Sequence, residues 1–256
     1  MTMIRKAMGR AAYAVAPEWT TRMRDRRELA RQAREVRLRL DESGELGAAA
    51  DELLRNEIFR PNQEREEIVG LLKLLRALQP ECVCEIGAQR GGTLALFCEV
   101  AHPAARVFSI DFEYQPDRMA AVRNFAKPGQ RIRCLAGDSH APATLRRFRQ
   151  WLGGRQLDFL FIDGDHSRAG VAADYRGYAP FVRPGGLVAF HDIVPDYMAR
   201  YGIRGKGDAG QVHEFWAELK KEAGGCTEIV ADPGQDGFGI GVLRREAGEA
   251  WPVPAA

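Results

Sequence analysis

The stretch Cys82-Val83-Cys84-Glu85-Ile86-Gly87-Ala88-Gln89-Arg90-Gly91-Gly92-Thr93 decides the fold. Cys82 to Ile86 has the length and apolar character of a short strand, and a glycine-rich turn follows it. Gly87 ends the strand, while Gly91 and Gly92 let backbone approach a ligand that a Cβ would hold away. A helix starting near Gly92 aims its unpaired N–H groups at the same place. Strand, glycine turn and helix start together frame a nucleotide-like cofactor. The dinucleotide spacing G-x-G-x-x-G would need glycine at position 89, where the chain has Gln89.

Upstream of this stretch the chain reads as helical. Residues 22–40 lack Gly and Pro, and Leu29, Ala33, Val36 and Leu40 recur at helical spacing. A short helix over 47–55 follows, and Pro61-Asn62 opens a third helix, with Ile68, Leu71, Leu72, Leu75 and Leu78 on one face. Downstream, strands and helices alternate. Arg106–Ile110, Ile132–Ala136, Leu157–Ile162 and Gly186–Phe190 read as strands two to five. A helix over Val212–Glu222 precedes two last strands near Thr227–Val230 and Gly237–Leu243. Continuous apolar strands alternating with helices mean an α/β fold. The expected architecture is a Rossmann-like, doubly wound, mostly parallel sheet of seven strands, with an antiparallel edge strand and added N-terminal helices. The units read as a basic helical arm over 1–59, a domain over 60–246 and a tail over 247–256.

An open parallel sheet binds ligands beyond the carboxyl ends of its strands. Each of the first five strand ends carries an acid: Glu85, Asp111, Asp138, Asp163 and Asp192. Glu85 followed by Gly87 and Gly91 resembles the acid-x-G-x-x-x-G loop of class I S-adenosylmethionine (SAM) methyltransferases. Gly87, Ala88 and Gly91 would then form the cofactor loop, and Glu85 would face the positively charged methionine end. Asp111 can accept both ribose hydroxyls, with Glu113 as a weaker choice. Asp138 with Ser139 is placed for the adenine amino edge, and Phe112 or Leu135 for the ring faces. Asp163 and Asp192, beside His166 and His191, make a hard-cation site, since Mg²⁺ prefers oxygen ligands. A cation-bound hydroxyl loses its proton readily, and His166 is the candidate general base. His191 is an adjacent, non-essential ligand. Helix capping by Asp163 and a structural His191 are the plainer accounts of the same residues.

Taken together, Glu85–Gly92, Phe161-Ile162-Asp163-Gly164-Asp165-His166, Tyr178–Gly186, Phe190-His191-Asp192-Ile193 and Gln211–Trp216 resemble a known group. It comprises class I SAM-dependent methyltransferases with cephalosporin hydroxylase-type proteins and macrolide-sugar O-methyltransferases. The resemblance spans roughly 60–243 and leaves the arm uncovered. It implies SAM as cofactor, Asp163 and Asp192 as ligands of a divalent cation, His166 as base, and a small hydroxylated acceptor. Where relatives often carry two acidic or amide groups after the fifth strand, this chain has His191-Asp192, which admits Mn²⁺ beside Mg²⁺. No iron facial triad is visible, so hydroxylase chemistry is not carried over. The glycine-rich segment 195–210 is expected either to close over the acceptor as a lid or to be an ordinary solvent loop. Two other functions fit the motifs: a metal-independent methyltransferase acting on nitrogen or a macromolecule, and a non-catalytic SAM-binding scaffold.

Composition sets the outer bounds. The chain has 256 residues, 45% hydrophobic and 28% charged, as in a soluble globular protein. The apolar patch Ala11–Ala16 is too short for a signal peptide core, no run approaches a membrane span of roughly 18 residues, and a cytoplasmic location is expected. Residues 1–40 hold 11 Lys/Arg against 4 Asp/Glu, so the net charge of +2 conceals a basic arm. Asp25, Glu28 and Glu35 interleave with those cations and argue against nucleic acid; packing in a homo-oligomer through the N-terminal helices is the expected use. Four of the five cysteines fall in strands or helices and read as reduced core thiols, and Cys82/Cys84 have no second pair to complete a metal site.

Overall fold

The structure is a computed structural model that describes residues 17–223, 225–246, 248 and 251. The patch Ala11–Ala16, the arm ahead of Pro17 and most of the tail over 247–256 lie outside the described residues.

Strands β1 (Cys82–Ile86), β2 (Arg106–Asp111), β3 (Arg131–Ala136), β4 (Leu157–Ile162) and β5 (Val182–His191) are mutually parallel. With β6 (Cys226–Ile229) and β7 (Ile240–Arg244) they form a seven-stranded sheet ordered β3-β2-β1-β4-β5-β7-β6. The closing hairpin is present, with one refinement. The strand running against the rest is β7, which lies one place in from the edge, between β5 and β6. β5 begins at Val182 rather than Gly186, because pairing with β4 starts at Leu157, shifts register past Pro184 and resumes at Leu187.

Burial explains the strand sequences. β1 and β4 are buried at every position because helices cover both faces of the sheet. Edge strand β3 alternates exposed Arg131 and Arg133 with buried Ile132 and Cys134. Charge on an edge discourages pairing with another chain. One helical layer contains α1 (Pro17–Ser43), α2 (Leu46–Leu54), α3 (Arg65–Leu78), α4 (Gly92–Val100) and α5 (Pro116–Val122). The other contains α6 (Pro142–Leu152), α7 (Arg168–Tyr178) and α9 (Val212–Glu222), while the short α8 (Tyr197–Tyr201) interrupts the loop after β5. Val83, Phe159 and Phe161 pack toward the first layer, and Cys84, Leu160 and Ile162 toward the second.

The N-terminal helices are part of this core. Ala33, Val36 and Leu40 are buried in it, and a buried Val or Leu contributes about 1.5–3 kcal/mol. Arg37 lies on the same face, pairing with Asp41 (2.8 Å) and with Glu99 of α4, which also binds Lys127 (2.8 Å). The apolar face of α1 is therefore used within the chain. Helix α3 starts at Arg65, not Pro61, and residues 61–64 remain extended. Its buried Glu67 accepts N–H groups from Ala231 (3.0 Å), Gly239 (2.8 Å) and the Gln235 side chain (2.7 Å), clamping the β6–β7 connection. Cys82, Cys84, Cys98 and Cys134 are buried, Cys226 is exposed, and all are free. Burial pushes the Cys82 thiol up to about 12, so the Cys82/Cys84 pair offers no ready thiolate to a metal. None of the described helices is long and apolar enough to cross a membrane.

Candidate active site

Parallel pairing sends the ends of β1 to β5 to one rim, where a cavity of about 670 Å³ opens. That lies within the roughly 300–1,000 Å³ of small-molecule sites. Its floor is the turn after β1. Gly87, at φ 86°, donates its N–H to Ile110 O (2.9 Å), and a Cβ there would lie 1.9 Å from Asp163 O. Only glycine lets the β1 and β4 ends meet this closely. Gly92 is equally tight, since a Cβ would lie 2.0 Å from Phe59 O. The glycine turn after β1 thus rests directly on the segment leading into α3.

The β1–β3 end of the cavity is shaped by backbone. Asp111 Oδ2 accepts the Gln89 N–H (2.6 Å) and Oδ1 accepts the Glu113 N–H (2.7 Å). One carboxylate thereby fixes the loops after β1 and β2 while staying on the cavity wall. Asp138 holds the His140 N–H (2.8 Å), and Asp138, Ser139 and His140 line the far end. Ala88 and the exposed Phe112 also reach the wall. Leu135 instead packs against the second core cluster.

Two sequence-derived residues do not reach this wall. Gly91, with φ 86°, caps α4, and a Cβ there would strike Val122 (2.5 Å), so its glycine serves helix packing. Glu85 is the penultimate residue of β1, and strand alternation turns it into the protein. It is fully buried, and neither carboxyl oxygen has a partner among the described residues. Burial, followed by Asp163 and Asp111, holds its pKa well above the usual carboxylate range. Glu85 therefore stands behind the cavity wall rather than on it.

At the opposite end Asp163, His166, His191 and Asp192 converge. His191 Nδ1 is 3.1 Å from Asp163 Oδ1 and 3.1 Å from Asp192 Oδ2. His166 Nε2 lies 3.7 Å from Asp163 Oδ1 and 3.5 Å from Asp192 Oδ2. His191 and Asp192 are buried behind Asp163. Asp192 adopts a left-handed backbone (φ 62°), uncommon outside glycine and a mark of functional sites, and its Oδ1 accepts the Phe238 N–H (3.0 Å). His166 Nδ1 is 2.6 Å from Asp208 O, which as an N–H donor leaves Nε2 facing the carboxylates. The electrostatics follow. Burial would raise Asp163, but His191 and His166 outweigh it and hold its carboxyl below the usual range. The nearby Asp163 carboxylate, with Asp192 and against burial, raises His166 to about 9. Burial opposes charge on His191, yet Asp163 and Asp192 keep its pKa well above 6.5.

Asp163, His191 and Asp192 each present one ligand atom, all within 4.8 Å of one another. Donors at right angles around an ion bound at roughly 2.1 Å lie about 3 Å apart. The two 3.1 Å separations match that spacing. They also match Nδ1–H hydrogen bonds, so the donor set fits a divalent cation without requiring one.

Sequence reading missed the wall opposite the strand ends. Arg60 and Asn62 line the cavity, and Gln63 donates Nε2–H to Asp163 Oδ2 (3.1 Å). The only local signal was the polar Asn62-Gln63 pair ahead of an amphipathic helix. Segment 195–210 returns to the site through Asp208 and through Gln211 N, which donates to His166 O (2.7 Å). Asp236 holds its backbone at Tyr197 (2.6 Å), Lys206 (2.6 Å) and Gly207 (3.0 Å). Of its glycines, Gly205 and Gly207 press on Asp236 and Gly210 on His166, while Gly202 alone meets nothing within 4 Å. Those three glycines permit close packing.

The fold is the one found in class I SAM-dependent methyltransferases. Within the chain, residues 84–193 match a family model described as a methyltransferase domain, and this segment contains the strand ends just described. An uncharacterised protein of Sinorhizobium fredii, y4gI, is 27% identical over 158 residues, 57% of this chain. This chain spans only 16% of that relative's length. Among solved structures, an O-methyltransferase from Bacillus cereus in complex with SAH superposes with a TM-score of 0.55 at 17% identity, covering 80% of this chain and 90% of that one. MycE, a methyltransferase of the mycinamycin biosynthetic pathway in complex with Mg, SAH and mycinamycin VI, gives a TM-score of 0.50 at 19% identity. That match covers 83% of this chain and 56% of MycE. At these identities the likeness establishes the fold.

Proposed function

We propose that this chain is a SAM-dependent O-methyltransferase that acts on a small acceptor with neighbouring hydroxyls, such as a sugar moiety, and uses a divalent cation. The observation that carries this reading is the meeting of Asp163, His191 and Asp192 at one end of the cavity, with His166 Nε2 within 3.7 Å of both carboxylates. The MycE complex, with Mg beside SAH and a macrolide, supports it by analogy of fold.

SAM's sulfonium already makes its methyl group reactive, so the protein has to align acceptor oxygen and methyl and to remove a proton. Asp111 would hold the ribose hydroxyls with its remaining lone pairs, and Asp138 the adenine amino group. Ala88 and the Gly87 turn would let the methionine portion lie against backbone. Asp163 and Asp192 would bind the cation, with His191 Nδ1 as an adjacent, non-essential donor. When bound, the cation would hold two acceptor hydroxyls and lower their pKa. A bound cation's charge would offset the carboxylates that otherwise keep His166 protonated, and His166, oriented by the Asp208 carbonyl, would then take the acceptor proton at Nε2. Segment 195–210 ends on His166 and would report acceptor binding by reduced proteolysis.

The test is calorimetric titration of chelator-treated protein with SAH and with Mn²⁺, followed by methylation assays on sugars and catechols. The reading expects both ligands to bind and a vicinal diol to be methylated. Binding of SAH with no affinity for Mn²⁺ or Mg²⁺ would remove the cation from the mechanism and leave ion pairing with His166 and His191 as the role of the acid pair.

A further inference from the structure

We infer that Gln63, carried by the extended segment before α3, is a positioning residue of the cation site. It would orient the Asp163 carboxylate and keep an amide carbonyl in reserve for a donor from outside the chain. This rests on the cation reading above, but on different observations.

The first is how the oxygens of Asp163 are divided. Oδ2 accepts the Gln63 Nε2–H (3.1 Å), whereas Oδ1 faces His191 Nδ1 (3.1 Å) and His166 Nε2 (3.7 Å). A carboxylate with one oxygen pinned cannot rotate freely, so the other stays turned toward His191 and Asp192. Because the partner is a carboxylate, the amide must present nitrogen to it, which fixes the orientation of Gln63. The second observation is the other half of that amide. Gln63 is 6% exposed, and its Oε1 is buried without a hydrogen-bond partner among the described residues. A buried carbonyl left unpaired is unfavourable and rare. A Gln that served only packing would be better replaced by Met or Leu. The arrangement suits a site in which a water or acceptor hydroxyl supplies the missing hydrogen bond.

The third observation is the rigidity of the mount. Asn56 Oδ1 accepts the N–H groups of Ile58 (3.0 Å) and Phe59 (2.8 Å). Arg118 donates to Ile58 O (3.2 Å) and lies 5.2 Å over the Phe59 ring. Phe59 O and Pro61 press against Gly92. Gln63 thus belongs to a strap held from several sides, and the N-terminal layer would complete the site instead of merely supporting it. Groups that orient a metal-binding carboxylate typically change metal affinity by about 10–100-fold when removed.

The experiment titrates full-length protein, saturated with SAH, with Mn²⁺ in the wild type, Gln63→Met and Gln63→Glu, and records melting of each metal-free form. Gln63→Met keeps the shape but loses the donor. It should weaken Mn²⁺ about 10–100-fold, leave SAH affinity within about twofold, and leave metal-free melting unchanged or higher. Gln63→Glu adds an anion beside Asp163. It should lower metal-free melting at pH 8 yet bind Mn²⁺ at least as tightly as wild type, with a larger Mn²⁺-induced rise in melting. Opposite shifts in the two variants are what a purely structural side chain would not produce. Wild-type affinity for Mn²⁺ in both variants would overturn the inference while leaving the cation reading intact. If Gln63→Met fails to fold, a Mn²⁺-induced melting rise in Gln63→Glu no larger than wild type overturns it alone. No Mn²⁺ binding to wild type would instead sink the cation reading, and this inference with it.

Discussion

The two ends of the cavity carry the same residue types and use them differently. At the β1–β3 end, the acids on the wall are tied to backbone: Asp111 holds two loop N–H groups and Asp138 a third. At the β4–β5 end, Asp163 and Asp192 face each other across two imidazoles. A carboxylate that accepts backbone N–H groups shapes a surface for a ligand with hydroxyls and ring nitrogens. Carboxylates gathered around histidines concentrate charge: Asp163 is held below its usual range while His166 and His191 rise. A strand-end acid therefore does not define a role by itself; its neighbours do.

The sharpest way to break this contrast is to neutralise the second end. Asp163→Ala and Asp192→Ala should each reduce Mn²⁺ affinity by roughly 100-fold or more, with SAH affinity nearly unchanged by calorimetry. If SAH binding falls in parallel, the two ends are not separable. Next comes the point where they touch. Gly87→Ala places a Cβ 1.9 Å from Asp163 O at a φ of 86°, and should cost about 3 kcal/mol in denaturant unfolding while weakening both ligands. A neutral result would mean that the β1 and β4 ends can part without consequence. Asp111→Asn leaves one acceptor oxygen for two N–H groups. It should weaken SAH roughly tenfold, as expected for loss of a charged hydrogen bond, with Mn²⁺ binding preserved.

The smallest effect concerns pH and the loop over the second end. Bonds from the Gly207 and Tyr197 N–H groups hold the Asp236 carboxyl below its ordinary pKa. A depressed folded pKa means stabilisation present above the ordinary carboxylate pKa and lost as pH falls through the folded value. Hydrogen exchange at 197–207 should therefore rise in acid before the core exchanges, and Asp236→Asn should show it already at neutral pH. Uniform protection across that range would leave the loop without its carboxylate anchor.

The contrast also sets what sequence alone could supply. Continuous apolar runs alternating with helical patterns, and glycine spacing, made the strands, the order of elements and the rim legible, and Asp111, Asp163 and Asp192 stand at the ends of their strands. Glu85 lies one residue short of its strand end, and a one-residue offset turns a side chain to the opposite face, which the motif spacing does not reveal. At Gly91, a glycine required by Val122 looks the same in sequence as one required by a ligand. Gln63 was invisible: its partner is 100 residues away, and nothing local distinguishes it from a helix-opening polar residue. The direction of β7 was legible from the missing helix, but its place inside β6 was not, since either order satisfies the same pattern.

The clamp at Glu67 has a consequence in time. Its partners Ala231, Gln235 and Gly239 lie 164–172 residues further along. At about 5–20 residues per second, a ribosome would present that carboxylate roughly 8–35 s before the groups it binds. Helix α3 can form early, but the clamp that joins it to the far side of the sheet closes only when the β6–β7 turn emerges. Through that interval the nascent chain keeps a charged latch open, and the moment it shuts would mark the completion of the domain.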